Sequence, residues 1–257
     1  MRRFLVIATA LLSAATVAGP ATAEPGPLFD PGSHVDYQLG GTRDRLPDDV
    51  GIVVRDRKAS PLTGRYNICY VNGFQTQPDE RRFWRRHHWR LVLKEDGRPV
   101  VDEVWGEWLL DTRTPAKRRA LARIVGGWTD RCAADGFDAV EYDNLDSFTR
   151  SHRLIRRRQA LTYARLLVRR AHAAGLPVGQ KNLAEWDGTT IGFDFAVAEE
   201  CGQWRECRLY AASYGDQVLA IEYRRRAFRH TCSRYGDRWP VVLRDLGLTP
   251  GGVHRYC

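Results

Sequence analysis

Short apolar runs recur along the chain, separated by longer stretches in which apolar positions return every three or four residues. The runs read as strands and the longer stretches as helices. Eight runs qualify: 35–39, 51–54, 67–70, 138–142, 177–180, 194–197, 217–221 and 240–243. A further extended piece is expected at 104–110. The clearest helices are 115–134, opened by Thr114 and Pro115 as N-cap and first helical residue, and 153–174, closed by Gly175. Strands alternating with helices imply a parallel sheet. Eight such units in a chain of 257 residues fit a (β/α)8 TIM barrel, typically ~250 residues long. The rival is an open doubly wound sheet, which wants a glycine-rich phosphate turn after its first strand. Gly40-Gly41 is only a glycine pair.

Before this pattern begins, Arg2 and Arg3 lead an apolar run from Phe4 to Val17, followed by the small-residue sequence Ala21-Thr22-Ala23. Residues 1–23 read as a secretory signal peptide and 24–257 as a single domain with a Pro/Gly-rich lead-in at 24–33. No later apolar stretch reaches the ~20 residues a membrane helix needs. The mature chain is therefore expected to be secreted, free of the membrane and monomeric. Six cysteines in an exported chain (Cys69, Cys132, Cys201, Cys207, Cys232, Cys257) point to three disulfides. No metal site is expected, because there is no Cys-x-x-Cys and His87-His88 lacks a third ligand. His172 reads as a cation favoured by the end of its helix. No His-Glu-x-x-His or Gly-x-Ser-x-Gly is present. The formal charge is +9, carried almost wholly by arginine. The runs at Arg156–Arg158, Arg169-Arg170 and Arg224–Arg226 read as solvated helix faces. They come without a zinc-finger, RNP-type or phosphate-cradle motif, so nucleic acid is not an expected partner.

Polar residues gather where the strands should end. The first carries Asp36, Tyr37 and Gln38; Asp56 follows the second; Tyr70 and Asn72 end the third. Glu141, Asp143, Asn144 and Asp146 end the fourth, and Gln180, Lys181 and Asn182 the fifth. Glu199 and Glu200 follow the sixth, Glu222 and Tyr223 the seventh, Arg244 and Asp245 the eighth. A barrel builds its active site at this C-terminal mouth. On the fourth strand Val140 and Tyr142 alternate with Glu141 and Asp143. The apolar pair should pack outward on helices while the carboxylates face the mouth. Asp146 taken alone reads as a cap for the next helix. Asp143 reads as functional, as does one of Glu199 and Glu200. Cleaving a glycoside needs one carboxylic acid to protonate the leaving oxygen and a second carboxylate as nucleophile or base. Trp105, Trp108, Tyr37, Tyr70 and Trp204 can stack on sugar rings.

Several short blocks carry a family pattern. They are Asp36-Tyr37-Gln38-Leu39, Ile68-Cys69-Tyr70, the run from Trp105 to Asp111, Gly136-Phe137-Asp138, the run from Glu141 to Asp146, Ala171-His172, Lys181-Asn182, Phe193-Asp194, Glu199-Glu200-Cys201, Glu206-Cys207 and Glu222-Tyr223. In this order the chain resembles the endo-α-1,4-polygalactosaminidases, glycoside hydrolase family 114. The resemblance spans residues 36–223. It implies a TIM barrel that hydrolyses α-1,4-linked galactosamine polymers without a cofactor. Asp143 falls on the family's nucleophile position. Glu199 falls on its acid/base position, with Cys201 fixing the register. Glu200 stands where the family usually has an uncharged residue, so a second carboxylate adjoins the expected acid.

Substrate contacts are expected from Asp36, Tyr37, Tyr70, Trp105, Glu107, Trp108, Asp111, Glu141, Asn144, Asp146, Lys181, Asn182, Glu200, Glu222 and Tyr223. Together they would make an acidic groove on a basic body, with Asp36, Asp146 or Glu222 meeting sugar ammonium groups. The expected disulfides are Cys201–Cys207, Cys232–Cys257 and the remaining pair Cys69–Cys132. If Tyr70 points into the barrel, Cys69 points out toward the helix that holds Cys132. Two other readings remain open: a barrel that binds carbohydrate without cleaving it, and a glycosidase for a different glycan.

Overall fold

The structure is a computed structural model describing residues 25–257; the expected signal peptide lies outside the described residues. Eight parallel strands form where the apolar runs fall: β1 His34–Gln38, β2 Val50–Asp56, β3 Tyr66–Asn72, β4 Ala139–Asp143, β5 Val178–Lys181, β6 Phe195–Glu199, β7 Val218–Glu222 and β8 Val241–Arg244. They pair in sequence order, and a short antiparallel strand, β9 His254–Tyr256, adds to β8. The sheet curls until β1 and β8 are neighbours. Side chains and loops bridge this seam. Arg244 donates through Nη1 to Asp36 Oδ1 at 3.1 Å and to the Tyr37 carbonyl. The Gly40 N–H donates to the Leu248 carbonyl at 3.1 Å. A Cβ on Gly40 would lie 2.0 Å from the Gly247 carbonyl oxygen, so only glycine lets the loops approach this closely.

Alternation along the strands feeds two cores. Val35, Tyr37, Ile52, Val54, Ile68, Phe195, Leu219 and Val242 fill the barrel. Val71, Val140, Tyr142, Ala196, Val218 and Val241 face the helices. The expected parity of β4 is what the structure has.

Among the described residues six α-helices lie outside the sheet: α1 Arg81–His87, α2 Pro115–Asp135, α3 Arg157–Ala173, α4 Cys201–Trp204, α5 Cys207–Tyr214 and α6 Arg225–Tyr235. Thr114 Oγ1 caps α2 by accepting from the Lys117 N–H, and Gly136, at φ 92°, ends it in the left-handed region. Helix α3 begins at Arg157 rather than at 153, because His152 and Arg153 hold φ of 51° and 65° and break the helical path. The connections from β1 to β2 and from β2 to β3 contain no helix. Instead, residues 73–111 form an insertion holding α1 and a small antiparallel sheet of Gln75–Thr76, Val101–Asp102 and Glu107–Leu109. The last of these is the extended piece expected at 104–110. All three expected disulfides are present. Among the described residues no helix is long and apolar enough to cross a membrane.

Candidate active site

Three neighbouring strands end in the same way. Asp143, Lys181 and Glu199 close β4, β5 and β6, and the next residue of each chain segment is left-handed: Asn144 at φ 66°, Asn182 at 52° and Glu200 at 58°. Asparagine tolerates this region; for glutamate it costs more. The reversal turns the backbone away immediately after the last inward-pointing side chain. It leaves Asp143, Lys181 and Glu199 side by side at the rim. Strained backbone of this kind concentrates at functional sites.

Lys181 is the centre. Its side chain is buried, and Nζ lies 3.5 Å from Asp143 Oδ1 and 3.4 Å from Glu199 Oε2. Nζ also donates to the Tyr37 hydroxyl at 2.8 Å, and that hydroxyl donates onward to Glu141 Oε1. Burial pulls the pKa of Lys181 down, yet Asp143, Glu199 and Glu141 around it raise it well above the usual lysine value. It is therefore a fixed positive charge. Burial pushes the Glu141 carboxyl up to about 7, against the pull of Lys181 and of the Tyr37 hydroxyl.

The two rim carboxylates are each held by a tyrosine. Tyr70 donates to Asp143 Oδ2 at 2.7 Å, and the Asn144 N–H donates to Oδ1 at 2.7 Å. Tyr223 donates to Glu199 Oε1, and Asn182 Nδ2 to Oε2 at 3.3 Å. Burial, reinforced by the neighbouring carboxylates, raises the pKa of Tyr37, Tyr70 and Tyr223 well above the usual phenol value, so all three keep their protons and act as donors.

A cleft of about 390 Å³ opens above these groups. Asp143, Glu199, Asp102, Glu107 and Asp146 line it with Lys181 and Arg150, so acid predominates. Glu107, from the insertion, accepts through Oε2 from Asn72 at 2.8 Å and Asn144 at 3.3 Å. Burial pushes it up to about 7; the Asn72 hydrogen bond pulls down and Asp143 pushes up. Arg150 ties the cleft wall together. It donates to both oxygens of Asp146 at 2.9 Å and to Asn144 Oδ1 at 3.1 Å, and its Nε lies 2.7 Å from Asp102 Oδ2. Val104, Trp105 and Leu246, three of the most exposed large apolar side chains, border the same cleft. Exposed apolar groups gathered at one opening mark a binding surface.

Of the residues named from sequence, Tyr70, Trp105, Glu107, Asp143, Asn144, Asp146, Lys181, Asn182, Glu199 and Tyr223 line the cleft. Tyr37 and Glu141 lie beneath it, fully buried. Others are elsewhere. Asp36 is fully buried on the outward side of β1, where it meets Gln38, Arg43, Arg244 and His254. It cannot reach a sugar, because its strand directs Val35 and Tyr37 inward. Glu222 also points outward and accepts from the Gly202 N–H and the Thr231 hydroxyl, tying α4 to α6. Asp111 is enclosed by Arg113 and Lys117. Trp108 packs on Trp89 under the Arg81 guanidinium. Glu200 starts α4 with its N–H on the Ile221 carbonyl and does not line the cleft. Trp204 is exposed outside the cleft. Asn72, Asp102, Arg150, Val104 and Leu246 belong to the site and were not among the expected contacts. Only Asn72, at a strand end, carried a signal.

A family profile described as glycoside-hydrolase family GH114 matches residues 14–257. Aspergillus fumigatus Ega3, solved in complex with galactosamine, has a similar fold at 22% identity, with a TM-score of 0.71 over 92% of this chain and 99% of that chain. The glycoside hydrolase domain of Pseudomonas aeruginosa PelA matches at 16% identity, with a TM-score of 0.62 over 86% of this chain and 98% of that chain. No curated protein matches the chain.

Proposed function

The chain belongs to glycoside hydrolase family GH114, and from that premise we propose that it is a secreted, endo-acting hydrolase of α-1,4-linked galactosamine polymers, with Asp143 as nucleophile and Glu199 as acid/base. The observation that carries this reading is the pair of rim carboxylates sharing one buried ammonium. Two oxygens at 3.5 and 3.4 Å from Lys181 Nζ lie within about 7 Å of each other. That limit is compatible with the ~5–5.5 Å carboxyl spacing of retaining enzymes. Asp143 accepts in every contact it makes, with Tyr70 and the Asn144 N–H fixing its plane. It attacks the anomeric carbon while Glu199 gives its proton to the leaving oxygen. A water then attacks the glycosyl–Asp143 ester, Glu199 takes the water's proton, and Asp143 is released. Tyr223 hydrogen-bonds Glu199 in either protonation state and so keeps it aimed through both steps.

The excess of carboxyl groups in the cleft favours a cationic sugar, and Ega3, whose fold is shared, is described as bound to galactosamine. Trp105 and its apolar neighbours offer a face for pyranose rings. Exposed ion pairs contribute only ~0–1 kcal/mol each, so several subsites act together, and binding weakens as salt screens them. Three disulfides fit an oxidising, extracellular setting. A reducing-end assay on partly deacetylated galactosaminogalactan tests the reading. Release of oligomers that falls with full N-acetylation supports it; equal turnover of both polymers, or of a neutral glycan alone, contradicts it.

A further inference from the structure

A second cavity, of about 560 Å³, lies outside the barrel between α4, α5 and α6. Its basic side chains are Arg205, Arg208, Arg226 and Arg234, joined by the His230 imidazole, and no carboxylate lines it. None of these four arginines has an acidic partner among the described residues, and what sets the cavity apart is that it gathers them around one opening. Their placement also runs against local preference. Arg208 is in the first turn of α5 and Arg226 in the first turn of α6, the helix ends where a cation is unfavourable. Neither helix has a side-chain cap on its free N–H groups. Helix α6 contains no acid at all, and Arg226, His230 and Arg234 follow one another at four-residue steps along the wall of the cavity, spaced by ~6 Å.

We propose that this cavity binds an acidic polysaccharide through its carboxylates, as a site separate from the cleft over Lys181. Guanidinium groups suit carboxylates because they present paired donors in one plane. Two uncapped helix starts add to the same field. The ~6 Å ladder on α6 suits charges repeated on successive sugar units. Tyr235, stacked on Trp239 with ring centroids 4.1 Å apart, gives the cavity its one aromatic face. A nucleic acid fits less well: single strands are read by several stacking aromatics, and the cavity offers one. The proposal does not depend on the substrate of the cleft.

The test uses the full secreted protein and a galacturonate decamer, with binding followed by calorimetry at low salt. The double variant Arg205→Ser/Arg226→Ser is compared with Arg119→Ser/Arg123→Ser, which removes the same charge from the groove between α2 and α3. The cavity variant should lose about tenfold or more in affinity, the groove variant should keep wild-type affinity, and hydrolysis at the cleft should be unchanged in both. Equal losses in the two variants, no binding by the wild type, or a DNA duplex bound as tightly as the decamer would each overturn the proposal. Thermal melts of both variants separate loss of binding from loss of fold.

Discussion

Lys181 and Arg244 are both buried cations at the ends of barrel strands, and carboxylates surround each. Around Arg244 each of the three guanidinium nitrogens is engaged. Its guanidinium bonds Asp36 and the carbonyls of Tyr37, Val253 and Thr249, while Asp36 also accepts from Gln38 and meets Arg43 and His254. Burial pushes the Asp36 carboxyl up, but Gln38, His254, Arg244 and Arg43 together carry it below the usual carboxylate range. The cluster is closed, and its work is to tie β1 to β8. Around Lys181 the carboxylates outnumber the cation. Two of them, Asp143 and Glu199, are part-exposed to a cleft with room for a ligand. Buried charge at a strand end therefore does not define a site. What distinguishes the Lys181 cluster is the excess of one sign and the face left open.

Removing each cluster's centre should separate the two. Lys181→Met should lower turnover by ~10²–10⁴, since both rim carboxylates lose their shared counter-charge. It should also destabilise the fold, because buried Glu141 and the two rim carboxylates above it would lose their shared counter-charge. An unchanged rate would show that Lys181 is only structural. Asp36→Asn should leave turnover per folded molecule intact yet cost about 3 kcal/mol, the low end of the ~3–5 kcal/mol expected when a buried ion pair is broken. Denaturant melts check the second part. A large loss of rate at full stability would return Asp36 to the mouth.

A smaller effect sharpens the comparison through pH. The Glu107 carboxyl is raised from 4.5 to about 7 in the folded protein. The folded state therefore holds its proton where the unfolded chain has released it. Stability from this group is full below about pH 4.5, falls by roughly 3 kcal/mol as pH rises to 7, and is flat beyond. Glu141, also at about 7, acts in the same direction. Glu107→Gln should remove about half of the decline between these limits. Melts across the range test this, and an unchanged slope would mean that Glu107 titrates normally.

The barrel was legible because all eight apolar runs became its strands, and the parity of β4 placed Asp143 correctly. The same alternation governs β1 and β7. Val35 and Tyr37 enclose Asp36, and Ile221 and Tyr223 enclose Glu222, so inward apolar neighbours force both acids outward. Proximity to a strand end overrode that signal. Arg150, Asp102 and Leu246 were not legible: Arg150 ends a four-residue 3-10 turn, Asp102 lies on a two-residue strand and Leu246 on a loop, all too short to show periodicity. The left-handed turns at Asn144, Asn182 and Glu200 likewise depend on tertiary packing that local sequence does not specify.

The central claim is that Asp143 and Glu199 divide the chemistry between attack and proton transfer. It is tested most directly with an aryl α-galactosaminide whose leaving group needs no protonation. On the polymer both Asp143→Asn and Glu199→Gln should lose activity by ~10²–10⁴. On the aryl substrate Glu199→Gln should recover a rapid burst of phenol release while Asp143→Asn stays inactive. Recovery in Asp143→Asn, or equal behaviour of the two variants, would contradict the assignment.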